Sequence, residues 1–475
     1  MPVPTPRLEL DPDRLFPVDV RVRAVARELY ALVAGKPILS PHGHVDPRLL
    51  LDDAAFTDPA ELLIRHDHYV TRVLHAAGVP LQELGIPPLD GSAALPPPRE
   101  VWRTFCAHWH WFAGTASAYW LRDTLAGVLG VDEMPSAASA DRLFDAIQQK
   151  LREPGFRPRA LFDRFNIEVL ATTDDPLSDL SAHAALAADP AFRGRVVPTF
   201  RPDAYLDPAA DGWAQRVAAL AAWHGTPAGS YRGYIEALAA RRHYFILHGA
   251  VSADHGVRTP RTLELDAQDA AKLFARALAG TLDAAGQQAF AAHMLFEMAR
   301  MSVADGLVMT LHPGVYRNHS SATTRAFGPD MGNDIPLSTE YVVALRPLLE
   351  RFGSRPDFHL VLFTVDETSF SRELAPLAGF YPSVYIGAPW WFLDAPDSIQ
   401  RFRAAVTETA GFYRSSGFID DTRAFLSIPA RHDMARRADA AFLARLVCEG
   451  RLARSLAERI AVDMVDAQPR KVFKL

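Results

Sequence analysis

From Pro158 onward, short apolar runs recur along the chain, each bounded by polar or turn residues and each followed by a stretch with helical periodicity. The runs are Ile167-Glu-Val-Leu-Ala-Thr-Thr, Arg195-Val-Val-Pro-Thr-Phe, His243-Tyr-Phe-Ile-Leu-His, Gly306-Leu-Val-Met-Thr-Leu-His, His359-Leu-Val-Leu-Phe-Thr, Ser383-Val-Tyr-Ile-Gly and Gly417-Phe-Ile-Asp. An earlier run, Lys36-Pro-Ile-Leu-Ser-Pro-His, brings the set to eight. Strands this apolar are buried on both faces, and helices between them supply the crossovers that parallel pairing needs. The pattern predicts an α/β chain closed into a (β/α)8 TIM barrel. An open doubly wound sheet would normally carry a Gly-rich phosphate loop after a strand, and no such loop occurs.

Between the first run and the rest, the signal is helical, aromatic and broken by proline. Asp58-Pro-Ala-Glu-Leu-Leu-Ile-Arg has the form of a capped helix start, and Asp67-His-Tyr-Val-Thr-Arg-Val-Leu-His continues as helix. So long a segment exceeds a barrel loop, and it predicts a helical insertion after strand 1. The expected organisation is residues 1–45 as N-terminal helix and first strand, 46–158 as the insertion, and 159–475 as the remainder of the barrel. The N-terminal helix is expected over Val18 to Ala34, stopping at Gly35.

Composition narrows the function classes. The net charge of −6 and the lack of a Lys/Arg stripe exclude a nucleic-acid partner, and no stretch approaches the roughly 20 apolar residues of a membrane span. A cytoplasmic protein is expected; a homo-oligomer is left open. The two cysteines, Cys106 and Cys448, are too far apart to suggest a thiolate site, so any metal must use nitrogen and oxygen ligands.

In a barrel of this kind the reactive groups collect at the C-terminal strand ends. His42 and His44 leave strand 1 two residues apart, so both imidazoles can reach one ion. Later strand ends offer Asp174 and Asp175, Arg201 and Asp203, His248, His312 and Arg317, Asp366, Trp390 and Trp391, then Asp420, Asp421 and Arg423. Several have ordinary alternatives: Asp174-Asp175-Pro as a helix cap, His248 as a core histidine bonded to backbone, the tryptophans as rim packing. Asp421 stands apart, because a carboxylate leaving the last strand of a closed barrel lies beside the first.

Pro41-His-Gly-His-Val-Asp with an Asp after strand 8 resembles the amidohydrolase superfamily. Within it, Asp67-His-Tyr, Thr172-Thr-Asp-Asp-Pro, Phe200-Arg-Pro-Asp, Gly387-Ala-Pro-Trp-Trp-Phe and Asp421-Thr-Arg-Ala-Phe-Leu-Ser resemble the uronate isomerase family, in chain order and over most of the sequence. The resemblance implies aldose–ketose isomerisation of hexuronates in hexuronate catabolism, D-glucuronate to D-fructuronate and D-galacturonate to D-tagaturonate, through an enediol. It implies one divalent ion, zinc by expectation, on His42, His44 and Asp421, with His248 or His312 left open as a further contact. Tyr69, His68 and Asp421 would be catalytic; Arg201, Arg423, His312 and Trp390 would meet the substrate. Metal-dependent hydrolysis is the alternative; a two-metal version is disfavoured because Phe363-Thr-Val-Asp-Glu at strand 6 lacks a histidine.

Overall fold

The barrel strands are short and almost wholly buried: β1 (Ile38–Ser40), β2 (Ile167–Ala171), β3 (Arg195–Val197), β4 (Ser252–His255) and β5 (Val308–Leu311), then β8 (Leu360–Leu362) and β9 (Val384–Ile386). Between β5 and β8 lies an antiparallel pair, β6 (Val315–Tyr316) and β7 (Ile335–Pro336). These come from a computed structural model that describes residues 7–475, so the first six residues of the 1–45 segment lie outside the described residues.

Parallel ladders join β1–β2–β3 and β4–β5–β8–β9. Phe200 stitches the two sheets together, bridging to Asp174 on one side and Ala253 on the other, with Asp254 N donating to Phe200 O at 2.9 Å. Its ring is fully buried and meets Phe245 edge-on at 5.2 Å between centroids. On the far side Ser416 N donates to Ile386 O at 2.8 Å, and His44 N donates to Thr422 O at 3.1 Å. The ring is therefore closed, and the chain is a (β/α)8 barrel.

Two of the eight expected strands differ. Residues 243–247 are the end of the helix Tyr231–Leu247, with His248 as its C-cap, and Arg241, Arg242 and Phe245 of this helix face inward. A short apolar run cannot distinguish a strand from a buried helix face, and the true fourth strand, Ser252-Ala-Asp-His, is polar at three of its four positions and escapes a hydrophobicity criterion. His248 accordingly sits at a helix end, its Nδ1 2.8 Å from Tyr244 O, and not at the barrel mouth. Among the described residues the last stave, around Gly417-Phe-Ile-Asp, forms no ladder and is bridged to β9 through Ile386↔Ser415. Gly417 at φ +83° breaks the ladder there, in a gap where a Cβ would meet Met464 O at 3.1 Å.

From β1 to β2 the chain is mainly helical. Asp58 Oδ1 accepts from Ala60 N and Glu61 N, both at 2.9 Å, though the turn it opens, Glu61–Arg65, is π-helical. Asp67 Oδ1 accepts from Tyr69 N at 2.9 Å and caps the helix His68–Ala76, which fixes His68 and Tyr69 in its first turn. The N-terminal helix spans Val20–Ala31, capped by Asp19. No described helix is long and apolar enough to cross a membrane.

Candidate active site

His42 and His44 leave β1 around Gly43, which fits a gap between three staves: a Cβ there would lie 3.4 Å from Ala171 O and 3.5 Å from Asp420 Oδ1. Thr173 Oγ1 donates to Gly43 O at 2.9 Å and fixes this turn. Across the barrel seam, Asp421 Oδ1 lies 2.9 Å from His44 Nε2 and 3.3 Å from His42 Nε2. Asp421 itself holds φ +44°, a left-handed conformation that costs a non-glycine residue roughly 1 kcal/mol or more. Asp421 is largely withdrawn from solvent, which disfavours its charge, yet the imidazoles of His42 and His44 beside it outweigh this and hold its carboxyl well below the usual range.

Next to this trio stands a second buried cluster. Asp254, from β4, accepts from Thr310 Oγ1 at 2.7 Å and from His312 Nδ1 at 2.5 Å, and lies 3.6 Å from Arg201 Nη1. Burial opposes its ionisation, but His312, His42 and Arg201 override this and keep it ionised. His312 is kept neutral by burial despite the pull of Asp254; its ring stacks on His42 at 4.6 Å and meets the edge of Trp390 at 4.6 Å.

Among the described residues two sets could hold a metal ion: His42, His44 and Asp421, and His42, Asp254 and His312. The first set fits better. Its Asp421 Oδ1 is a buried oxygen with no hydrogen-bond partner even though two imidazole nitrogens face it, as ligand atoms converging on one cation would. In the second set, Asp254 Oδ1 and His312 Nδ1 are taken up by each other, and Arg201 Nη1 stands 3.6 Å from the other carboxylate oxygen, a cation where a metal ion would have to sit.

The helical segment supplies the opposite wall. Tyr69 Oη donates to Asp394 Oδ2 at 3.0 Å, and burial pushes its phenol well above 10. His68 stacks on the Tyr69 ring at 5.1 Å; burial first, then the Arg423 charge, bring its pKa down to about 3, so it is neutral. Arg201 donates through Nε to Asp203 at 2.8 Å, and the acids around it outweigh burial and fix its charge. Arg423 is more exposed and pairs with Asp330 at 2.8 Å; Arg317 pairs with Asp334 at 3.0 Å and lies 4.8 Å over Trp391. Asp330 and Asp334 belong to the loop between β6 and β7, which thereby arches over the mouth. The cavity at the mouth holds about 310 Å³, and His42, His44, Tyr69, Arg201, His312 and Asp421 all open onto it.

Other expected mouth residues serve elsewhere. Asp175 accepts from Leu177 N at 2.8 Å, a turn cap well ahead of the helix Ser181–Ala188, while Asp174 binds the Thr172 hydroxyl at 2.6 Å and is pushed up to about 6 by burial. Asp366 accepts from Thr339 N at 3.1 Å, and Asp420 faces His432 at 3.1 Å behind the cavity. Asp254, Asp330 and Asp394 were not singled out from the sequence. Asp254 could have been, from Asp-His-Gly closing a small-residue run; the other two carry no local signal.

A closed parallel barrel with a His-x-His pair on its first stave and a carboxylate on its last, facing one cavity, defines a barrel of the amidohydrolase type. Residues 20–473 match the family described as glucuronate isomerase. The chain is 51% identical over 465 residues to the uronate isomerase of Corynebacterium efficiens, covering 98% of each, and 50% identical over 466 residues to that of Rhizobium meliloti, covering 98% and 99%. The crystal structure of glucuronate isomerase from Caulobacter crescentus superimposes with a TM-score of 0.96 at 47% identity, over 98% of this chain and 97% of that one. This protein belongs to the glucuronate isomerase family.

Proposed function

We propose that this chain is a uronate isomerase, converting D-glucuronate to D-fructuronate and D-galacturonate to D-tagaturonate as a step of hexuronate catabolism in the cytoplasm. The observation that carries it is the convergence on one cavity of a metal-ligand trio, the half-buried Tyr69 and arginines that include Arg201 and Arg423. An open-chain uronate needs these three things: a polarised oxygen, a proton carrier between neighbouring carbons, and a cationic hold on a carboxylate.

His42, His44 and Asp421 would hold a divalent ion, and two imidazoles with one carboxylate suit zinc. Such an ion, when bound, supplies Lewis-acid polarisation of substrate oxygens. Arg201, fixed by Asp203 and Asp254, offers a preorganised fork of donors to the anionic end of the sugar, and Arg423 a second near the mouth. Tyr69 takes the proton from carbon 2 and returns it to carbon 1. Asp421 accepts the proton of a substrate hydroxyl. Neutral His68 donates a hydrogen bond to the carbonyl oxygen, a role its depressed pKa permits at every working pH. His312, its Nδ1 committed to Asp254, presents an unpartnered Nε2 to the substrate, against the wall of Trp390. Hydrolysis is not favoured, since the high-identity relatives are uronate isomerases.

The test is incubation of the metal-analysed protein with each uronate, following ketose signals by NMR, alongside Tyr69→Phe. Ketose from the wild type and none from Tyr69→Phe at equal metal content is the expected result. No ketose from either sugar overturns the activity; normal turnover by Tyr69→Phe removes that tyrosine from the mechanism.

A further inference from the structure

Tyr69 as a proton carrier needs a partner: desolvation in the cavity wall holds its phenol well above the ordinary range, which makes it a poor base unless something accepts its own proton. That acceptor is already in hydrogen-bond contact. Asp394 is 7% exposed at its side chain, and its Oδ2 receives both Tyr69 Oη at 3.0 Å and Arg431 Nη1 at 2.9 Å. Its Oδ1 is buried with no partner at all.

Arg431 is held on all sides. Its side chain is 1% exposed, its guanidinium lies 3.5 Å over the Trp120 ring and 5.1 Å from the Tyr69 ring centre, and Nε donates to Ser427 Oγ at 3.1 Å. Such a guanidinium keeps its charge, and it pins Asp394 in one orientation toward the phenol. Other charged groups facing Asp394 are Arg72, on the same helix as Tyr69, and Asp421 from the last stave.

We infer that Asp394 is the positioning residue that turns Tyr69 into a working base. As the substrate C2–H bond breaks, its proton bonds to the Tyr69 oxygen, the phenol's original proton passes to Asp394 Oδ2, and the C–H electron pair becomes the enediolate π bond. The hydroxyl hydrogen on the carbon 2 oxygen then passes to the oxyanion on carbon 1 within the enediolate, the carbon 2 oxygen re-forms a carbonyl as the π pair takes a proton from Tyr69 at carbon 1, and Asp394 returns its own proton to the phenolate, so both residues end as they began. Arg431 keeps the carboxylate in register throughout. The inference rests on the assignment of Tyr69 as proton carrier.

Asp394→Asn separates this role from a purely structural one, because the amide keeps the size and an acceptor oxygen for the phenol but cannot take its proton. The expected result is a loss in kcat on the order of 100-fold, the scale of one lost base. KM and metal content should stay within about twofold of wild type. The acid limb of the kcat profile, where the wild-type rate rises with pH as Asp394 ionises, should vanish. Unchanged kcat with an unchanged profile overturns the inference, as does a fall in kcat that keeps the acid limb. Should the amide variant not fold, Asp394→Glu decides: a displaced acid limb supports the relay, and an unmoved one overturns it. Tyr69→Phe, assayed in parallel, distinguishes the two levels, since its activity would refute the Tyr69 assignment itself.

Discussion

Asp254 Oδ1 lies 2.5 Å from His312 Nδ1, so the imidazole carries its hydrogen on Nδ1 and turns a bare Nε2 toward the cavity. The same carboxylate lies 3.6 Å from Arg201. One buried acid thus sets both the tautomer of a histidine and the position of an arginine. Asp254→Asn should therefore impair substrate handling more than folding, lowering kcat/KM roughly tenfold to a hundredfold. Steady-state kinetics beside thermal unfolding check this; unchanged kcat/KM would reduce Asp254 to packing.

Arg201 is held ready by two acids before any substrate arrives. Arg201→Met should raise KM for either uronate by roughly tenfold or more, the worth of a charge-assisted contact, with kcat less affected. A Michaelis constant equal to that of the wild type would remove it as the anchor.

Dialysis against a chelator should abolish turnover, and added divalent ions should restore it. Asp421→Asn, which keeps the shape but not the charge, should weaken metal retention by at least roughly tenfold and lower the rate with it. Elemental analysis and activity together are the readout; a variant that keeps both would detach the last stave from the metal.

His68 titrates near pH 3 in the folded protein against 6.5 for a free imidazole. The unfolded chain therefore binds more protons between those values, and stability falls as pH drops from about 6.5 toward 3. Discounting for its partial exposure, His68 should cost on the order of 1 kcal/mol by pH 5 relative to pH 8. His68→Gln should flatten that acid loss in urea-unfolding experiments at equal metal load; an identical slope would contradict the buried neutral state.

Arg403 and Asp439 form a two-pronged buried pair, 2.6 and 2.9 Å, between the helices Pro396–Ala410 and Ile428–Cys448. The second helix carries Arg431. Asp439→Ala strands a buried guanidinium and should destabilise by roughly 3 kcal/mol. A loss well under 1 kcal/mol would mean that Arg403 finds other partners, Ser415 Oγ at 3.2 Å being the nearest.

What was legible in the sequence was what periodicity and motif spacing encode locally. β1, β2, β3, β5, β8 and β9 all announce themselves as apolar runs, and His42 and His44 as a pair on one strand end. β4 does not: Asp254 is polar because it lines the cavity, and Ser252 and His255 bond to the neighbouring staves at Thr199 and Thr310, while residues 243–247 imitate a strand with the inner face of a helix. The capping acids divide similarly. Asp58 caps as expected; Asp67, expected inside a continuing helix, instead caps a new one, and Asp175 closes a turn, since Pro176 and the following residues delay the helix to Ser181.

By itself the sequence determined the barrel class, the histidine pair, Asp421 and the segment bearing His68 and Tyr69, because each depends on neighbours a few residues away or on a motif of fixed order. The tertiary structure alone decided that Asp254 governs His312, that Asp330 reaches Arg423, and that Asp394 and Arg431 converge behind Tyr69. Those pairings join groups far apart in the chain, and a carboxylate shows no local sign of which cation or phenol the closed barrel will bring to it.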